Sequence, residues 1–396
     1  MTSRIFKTPK SELFFCLLLL FVFTIPISQF LSIRLLVLVL VTSFFVASTG
    51  TFFSRFVSRS WDLLLYLLVL SGGLLYSEEL LTGYRVIETS LSLLVLPILF
   101  NKFGDFSKTR LHQILYAFAS GLFVACLICL SNAGYTYFQT GRVEAFFFDN
   151  LTEIIDSHPT YLAYYLIAVL TFGLYLLYYE RVSFSRAAIV VFLLFFFLML
   201  MLTGGLTAFV SILLIFSFFV LKYLLEEKSK RQTLTVAIVI VMMVSMFAFN
   251  TINLKEKNDY WERFVLWESA LNATPDIIFG VGTGDYKKVL YEYYVSHKLY
   301  EFADSGFNSH NQFIEIFFTN GLVGVFALII MLGRPLYLSV RNQNILGTLT
   351  FFSFFIYGMT EVFLGRYQGV VFFALLHQSF VTYYLSHKPA FPLRDV

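Results

Sequence analysis

Two side chains in the second half of this chain combine a proton acceptor with a permanent cation, a pairing suited to chemistry at a phosphate ester. Arg263 lies in NDYWERFVLWESAL, which reads as a short helix with Asp259 as its cap and Glu262 reaching back three residues later. Arg263 and Trp267 then share one face at i,i+4. A planar guanidinium stays charged and bonds two oxygens at once, so Arg263 suits a phosphate; the plainer reading seats it among lipid headgroups. His310 lies in FNSHNQFIEIFFTNGLVG, where Ser309 and Gln312 have capping-box spacing and place His310 at the first helical position. A helix N-terminus and apolar neighbours both disfavour imidazolium, so His310 is expected to be neutral and able to take a proton. Its plainer role is to anchor the helix start. Asn311 follows it directly, and no His-x-x-x-His or Cys set accompanies it to suggest zinc. His158 precedes Pro159 in DSHPTYLAYYL and is a second candidate, for substrate contact or simply for helix-start architecture. Arg142, Arg85 and Arg366 are further cations at connectors on the same side. GVGTG, 280–284, lacks the strand and the Lys-Ser/Thr of a phosphate loop, and reads as a tight turn passing close to the membrane surface.

These residues hang on membrane helices. With 58% hydrophobic and 13% charged residues, and a mean hydropathy of +0.76, the chain lies outside the soluble globular range. Apolar runs long enough to cross roughly 30 Å of hydrocarbon recur throughout. Stretches such as AAIVVFLLFFFLMLML do not alternate as a membrane β-strand would. The expected fold is all-α, a polytopic membrane protein with spans at 12–29, 32–53, 61–76, 86–101, 112–133, 159–179, 185–203, 205–225, 232–250, 312–333, 344–363 and 367–385. The expected organisation is one integral membrane domain over 1–396. The first run lacks a small-residue cleavage site and reads as a retained helix. Cys16, Cys126 and Cys129 fall in apolar stretches and read as packed or lipid-facing thiols.

Lys and Arg orient the spans. With a cytoplasmic N-terminus, 18 of the 28 basic residues lie on inside segments, and every inside connector carries at least two. Both termini are then cytoplasmic. Residues 251–311, the one long polar interruption, are then external. Connectors elsewhere need only a few residues, so this segment is expected to equip a site at one membrane face.

The order of motifs resembles the O-antigen ligase and O-antigen polymerase superfamily. An Arg-x-x-x-Trp helix is followed by Gly-x-Gly, then His-Asn opening a span with Asn-Gly-Leu-x-Gly, over about 60 residues from Arg263 to Gly324. The resemblance implies a GT-C-like glycosyltransferase of the bacterial inner membrane, with 251–311 as its periplasmic catalytic loop. It implies an undecaprenyl-diphosphate-linked glycan as donor and lipid A-core or a growing glycan as acceptor. It also implies inversion at the transferred carbon, without metal, cofactor or nucleic acid. Arg263 and His310 match the family's loop arginine and His-Asn histidine. The family's second arginine has no match, because LTGGLTA places Gly205 and Leu206 there. Arg142 is the preferred replacement on connector length, then Arg366 and Arg85. The rival from another class is a flippase or transporter of the same lipid, which would prefer ionisable residues near mid-bilayer.

Overall fold

The computed structural model describes residues 9–46, 52–180, 185–204, 206–225, 230–253 and 259–387. Among them the secondary structure is helical throughout. The chain begins with α1 (Pro9–Thr24), α2 (Gln29–Ser43), α3 (Phe52–Gly72), α4 (Leu80–Ser90), α5 (Ser92–Phe100) and α6 (Lys108–Thr140). Next come α7 (Phe148–Thr152), α8 (Pro159–Tyr179), α9 (Arg186–Thr203), α10 (Leu206–Leu225) and α11 (Lys230–Asn253). The long polar segment holds α12 (Asp259–Asn272), α13 (Tyr286–Ser296) and α14 (Tyr300–Ser305). The chain closes with α15 (Gln312–Arg341), α16 (Ile345–Gly358) and α17 (Tyr367–Ser386).

Among the described residues, eight helical stretches are long and apolar enough to cross a membrane. The other expected spans fall on shorter helices: α1, α2, the Thr235–Ser245 part of α11, and α16. This is an all-α multi-pass membrane protein. Several boundaries differ from expectation: α2 ends at Ser43, α6 runs on to Thr140 and α16 ends at Gly358. The third span begins at Phe52, so Arg55 and Arg59 are helical rather than in a connector, and α15 runs on to Arg341 and carries Arg334.

The described chain packs as two compact units. The first comprises 1–39, 109–256 and 348–353. Within it α8 is buried on nearly every side, as an apolar-all-round helix should be. Pro159 opens α8 at a position where its missing N–H costs nothing.

The second unit comprises 40–108, 257–347 and 354–396. Helix α17 is its most enclosed element. Charges buried in its spans pair with one another. Asp62 of α3 accepts from Arg334 Nη1 at 2.5 Å and from His377 Nε2 of α17 at 2.6 Å. The other ring nitrogen of His377 accepts from Gln378 Nε2 at 3.2 Å. Arg59 donates to the carbonyls of Phe103 (2.7 Å) and Gly104 (2.8 Å), closing the turn after α5.

Helix α15 is broken at Asn320 and Gly321, whose φ/ψ are −131/15 and 59/−156. A break within a span leaves carbonyls and N–H groups that lipid cannot satisfy. Here the GVGTG turn satisfies them. Val281 N donates to Phe318 O at 3.0 Å and Gly282 N to Thr319 O at 2.9 Å. Beyond the break, Leu322 N donates to Ile277 O at 2.9 Å and Val323 N to Ile278 O at 3.3 Å. The turn therefore does not pass over the surface as expected; its backbone is spliced into the spanning helix. Gly321 sits in a region open essentially to glycine, and a Cβ there would run into the Ile278 carbonyl. Gly321→Ala is expected to destabilise the protein by about 1–3 kcal/mol. Gly72→Ala should be close to neutral, because Gly72 is helical and an added methyl would meet nothing within 4 Å. Unfolding midpoints of the two variants in detergent check the contrast.

Candidate active site

Three devices hold the long polar segment in place within the second unit. Leu266 and Ala270 of α12, Leu290 and Tyr294 of α13, and Ala303 of α14 form one apolar cluster with Phe318 of α15. The splice at Asn320 and Gly321 is the second. The third is Asp285, whose carboxylate accepts from the N–H groups of Glu78 (3.0 Å) and Glu79 (2.7 Å) at the start of α4. An anion there is favoured by the helix dipole and meets otherwise orphaned donors. Burial pushes the Tyr294 hydroxyl well above its usual range, with Glu315 adding to the effect, so it stays a neutral member of the packing.

This docking brings three side chains to one short strip of chain, Met359–Thr360–Glu361, just past the end of α16. Asn311 Nδ2 donates to Met359 O at 2.9 Å. Arg263 Nη1 donates to Thr360 O. His310 Nδ1 lies 3.2 Å from Glu361 Oε1. A carboxylate only accepts, so the proton sits on Nδ1 and a neutral ring presents its lone pair at Nε2. The carboxylate also stabilises the imidazolium that forms when Nε2 takes a proton, the logic of an oriented catalytic base.

The helix start differs from the capping box read in the sequence. Asn311 is the N-cap of α15, accepting from Phe313 N (2.9 Å) and Ile314 N (3.2 Å) through Oδ1. His310 stands one residue before the cap, with φ +44, rather than at the first helical position. Ser309 is drawn away by a buried acid: its N–H and its hydroxyl both reach Glu315 Oε2, at 3.1 and 2.7 Å. Gln312 accepts from Leu364 N at 2.8 Å. A non-glycine residue held at positive φ by its neighbours is a recurrent feature of functional sites.

The remaining candidates scatter. Trp267 stands one turn beyond Arg263, its ring edge-on to Phe264 at 5.3 Å, and its buried Nε1 has no hydrogen-bond partner among the described residues. The Asp259 side chain, expected to cap α12, lies outside the described residues. Arg366 is exposed at the N-cap position of α17. Arg85 is exposed on α4 and lines a polar cavity with Gln312 and Glu315. Arg142 and His158 belong to the first unit. Arg142 is exposed, and His158 acts as the N-cap of α8, its Nδ1 accepting from Thr160 N at 3.3 Å. That is the helix-start role. Gly205 and the side chain of Leu206 lie outside the described residues.

Residues 188–329 match the O-antigen ligase family, a stretch that contains Arg263, His310 and the broken helix. The chain is O-antigen-ligase-like over this region. A Haemophilus influenzae protein described as uncharacterized is 30% identical over 122 residues, covering 28% of this chain. The match spans 31% of that relative's own length.

Sequence reasoning missed Glu361 as the partner of His310, and it missed Glu315 altogether. Glu315 had a readable signal: an acid one turn inside an otherwise apolar span is expensive and therefore suspect. Glu361 had a weaker one, because an acid in a connector between spans is ordinarily solvated.

Proposed function

We propose that this protein transfers a glycan from undecaprenyl diphosphate to an acceptor hydroxyl at the periplasmic face of a bacterial inner membrane. Ligation to lipid A-core is the favoured form, following the family description; polymerisation would use the same donor chemistry. The observation that carries the reading is the convergence of His310, Arg263 and Asn311 on Met359–Thr360–Glu361. The excess of Lys and Arg on the opposite connectors supports the external position of the long segment and cytoplasmic termini.

In this reading the acceptor O–H gives its proton to His310 Nε2 as its oxygen attacks the anomeric carbon. The new C–O bond forms on the face opposite the breaking bond to phosphate, so the carbon inverts. No metal or nucleotide sugar enters the scheme. Undecaprenyl diphosphate leaves with growing negative charge, which Arg263 stabilises while its bond to Thr360 O fixes the guanidinium. Removing one such donor typically costs about 10²–10³ in rate. A second cation is needed, because an incompletely paired diphosphate in a low-dielectric site costs several kcal/mol. Arg85 is the preferred one, since it lines a cavity with Gln312, two residues from His310. Arg142 and Arg366 are the alternatives, with His158 and Trp267 assigned to substrate contact at most.

The test is transfer by purified protein in lipid vesicles, with binding of undecaprenyl diphosphate measured in parallel. Arg263→Ala is expected to lower transfer by about 10²–10³ and to weaken binding. Arg85→Ala should weaken binding further than Arg142→Ala or Arg366→Ala. Unchanged binding and transfer in Arg263→Ala would remove the support for a diphosphate donor.

A further inference from the structure

The second unit encloses a cavity of about 220 Å³ whose wall is polar where a membrane protein has least reason to be polar. Its buried lining includes Tyr66 of α3 and Gln312, Glu315 and Asn320 of α15, while Arg85 and Lys287 are exposed cations at its rim. Glu315 is 6% exposed and Gln312 3%. Each spends one end of its side chain on the protein and leaves the other unengaged. Glu315 Oε2 takes both hydrogen bonds from Ser309, and Oε1 has no partner among the described residues. Gln312 Oε1 takes the N–H of Leu364, and its Nε2 has none among them. The Tyr66 hydroxyl, 2% exposed, also makes no hydrogen bond among the described residues. A buried acceptor, a buried donor and a hydroxyl that can be either thus surround one small space.

Groups that face a cavity in this way are met by water until a ligand with matching donors and acceptors displaces it. The complement is a ligand that offers several hydroxyls, donating to Glu315 and accepting from Gln312. Phosphate fits poorly, since the Glu315 carboxylate repels it and phosphate oxygens cannot donate. The volume falls below the roughly 300 Å³ at which drug-sized sites begin, so it admits one ring rather than an oligosaccharide. We propose that this cavity is a monosaccharide subsite in which Glu315, Gln312 and Tyr66 hold the hydroxyls of one sugar ring. The assignment rests on glycan transfer as the function. Ser309, bonded to Glu315, and Gln312 flank His310 in sequence, so the ring is held beside the base. Arg85 and Lys287, on the exposed side, are then placed to meet a diphosphate attached to that ring. Glu315 is a positioning residue in this scheme, not the proton acceptor.

The ring can come from donor or acceptor, and two conservative variants separate the sources. Glu315→Gln keeps an oxygen for Ser309, and Tyr66→Phe removes only a hydroxyl. Full-length protein in detergent is titrated with undecaprenyl diphosphate, and with the same lipid bearing one hexose or one N-acetylhexosamine. Acceptor KM and kcat are measured alongside. For a donor ring, the wild type binds a sugar-bearing lipid at least about tenfold tighter than the bare lipid. Both variants lose most of that preference and keep their affinity for the bare lipid. For an acceptor ring, acceptor KM rises in both variants while donor binding stays as in the wild type. Unchanged sugar preference together with unchanged acceptor KM overturns the proposal. Failure of the wild type to bind even the bare lipid strikes instead at the diphosphate donor, and leaves the acceptor arm to judge the cavity.

Discussion

His310→Ala is expected to abolish glycan transfer, a loss of about 10²–10⁴-fold if only general-base catalysis is removed. The protein should remain folded and still bind undecaprenyl diphosphate, because the cap of α15 belongs to Asn311 and the donor cations lie elsewhere. Glu361→Ala should give a smaller loss. It leaves the ring in place but removes the acceptor that fixes its tautomer and steadies the imidazolium. Initial rates in vesicles, with bound donor measured separately, distinguish the two. Near-normal turnover in His310→Ala would make this histidine an anchor at the mouth of a helix and leave the acceptor proton without an assigned base.

The largest expected effect on stability lies in the spans. Asp62→Ala would leave the half-buried Arg334 guanidinium without its carboxylate and the buried His377 without its acceptor. Breaking such a group from one side costs about 3–5 kcal/mol, whereas replacing all of its members by apolar residues is often neutral. The midpoint of thermal unfolding in detergent should therefore fall sharply in Asp62→Ala and largely recover in the combined Asp62→Leu, Arg334→Leu, His377→Leu variant. The same experiment bears on the transporter reading. These charges sit within spanning helices, where a transporter would put them, but both oxygens of Asp62 are engaged and both nitrogens of His377 are paired. A closed network of this kind holds helices together. If the triple-leucine variant is folded but inactive in transfer, the network has a functional role beyond that.

The fold class was legible because apolar length is a local property, readable run by run. What the sequence hid was mostly pairing between distant residues. Asn320-Gly321 and GVGTG were each visible as motifs, but nothing local says that the second fills the hydrogen-bonding gap left by the first, some 40 positions away. The helix start at His310 was misplaced by one step for a similar reason. Ser309 and Asn311 are equally good caps by type, and the choice between them was made by Glu315, which claims Ser309. Arg59 and Arg334 resembled interfacial charges because their helices run longer than the apolar runs that announced them. Asp62 and His377 went unremarked because a single charge in an oily stretch has no visible partner until the helices are packed. Arg263 and His310 were legible as candidates because they carry unusual chemistry at unusual places, but the carboxylate beside His310 lies 51 residues further along the chain.

The splice between 277–282 and the broken helix has a consequence for how the protein is made and how it opens. Without the long segment docked against it, α15 would carry two carbonyls and two N–H groups unpaired at the break. Each is worth several kcal/mol in hydrocarbon. Because the segment precedes α15 in the chain, it emerges first and is already available when that helix enters the bilayer. Once joined, the two can separate only by re-exposing those groups, so residues 277–282 are a fixed hinge post and not a flap. Any widening that admits a lipid-borne glycan must come from parts of the segment held by side chains alone, such as α13 and α14, which can shift without opening the bilayer-spanning backbone.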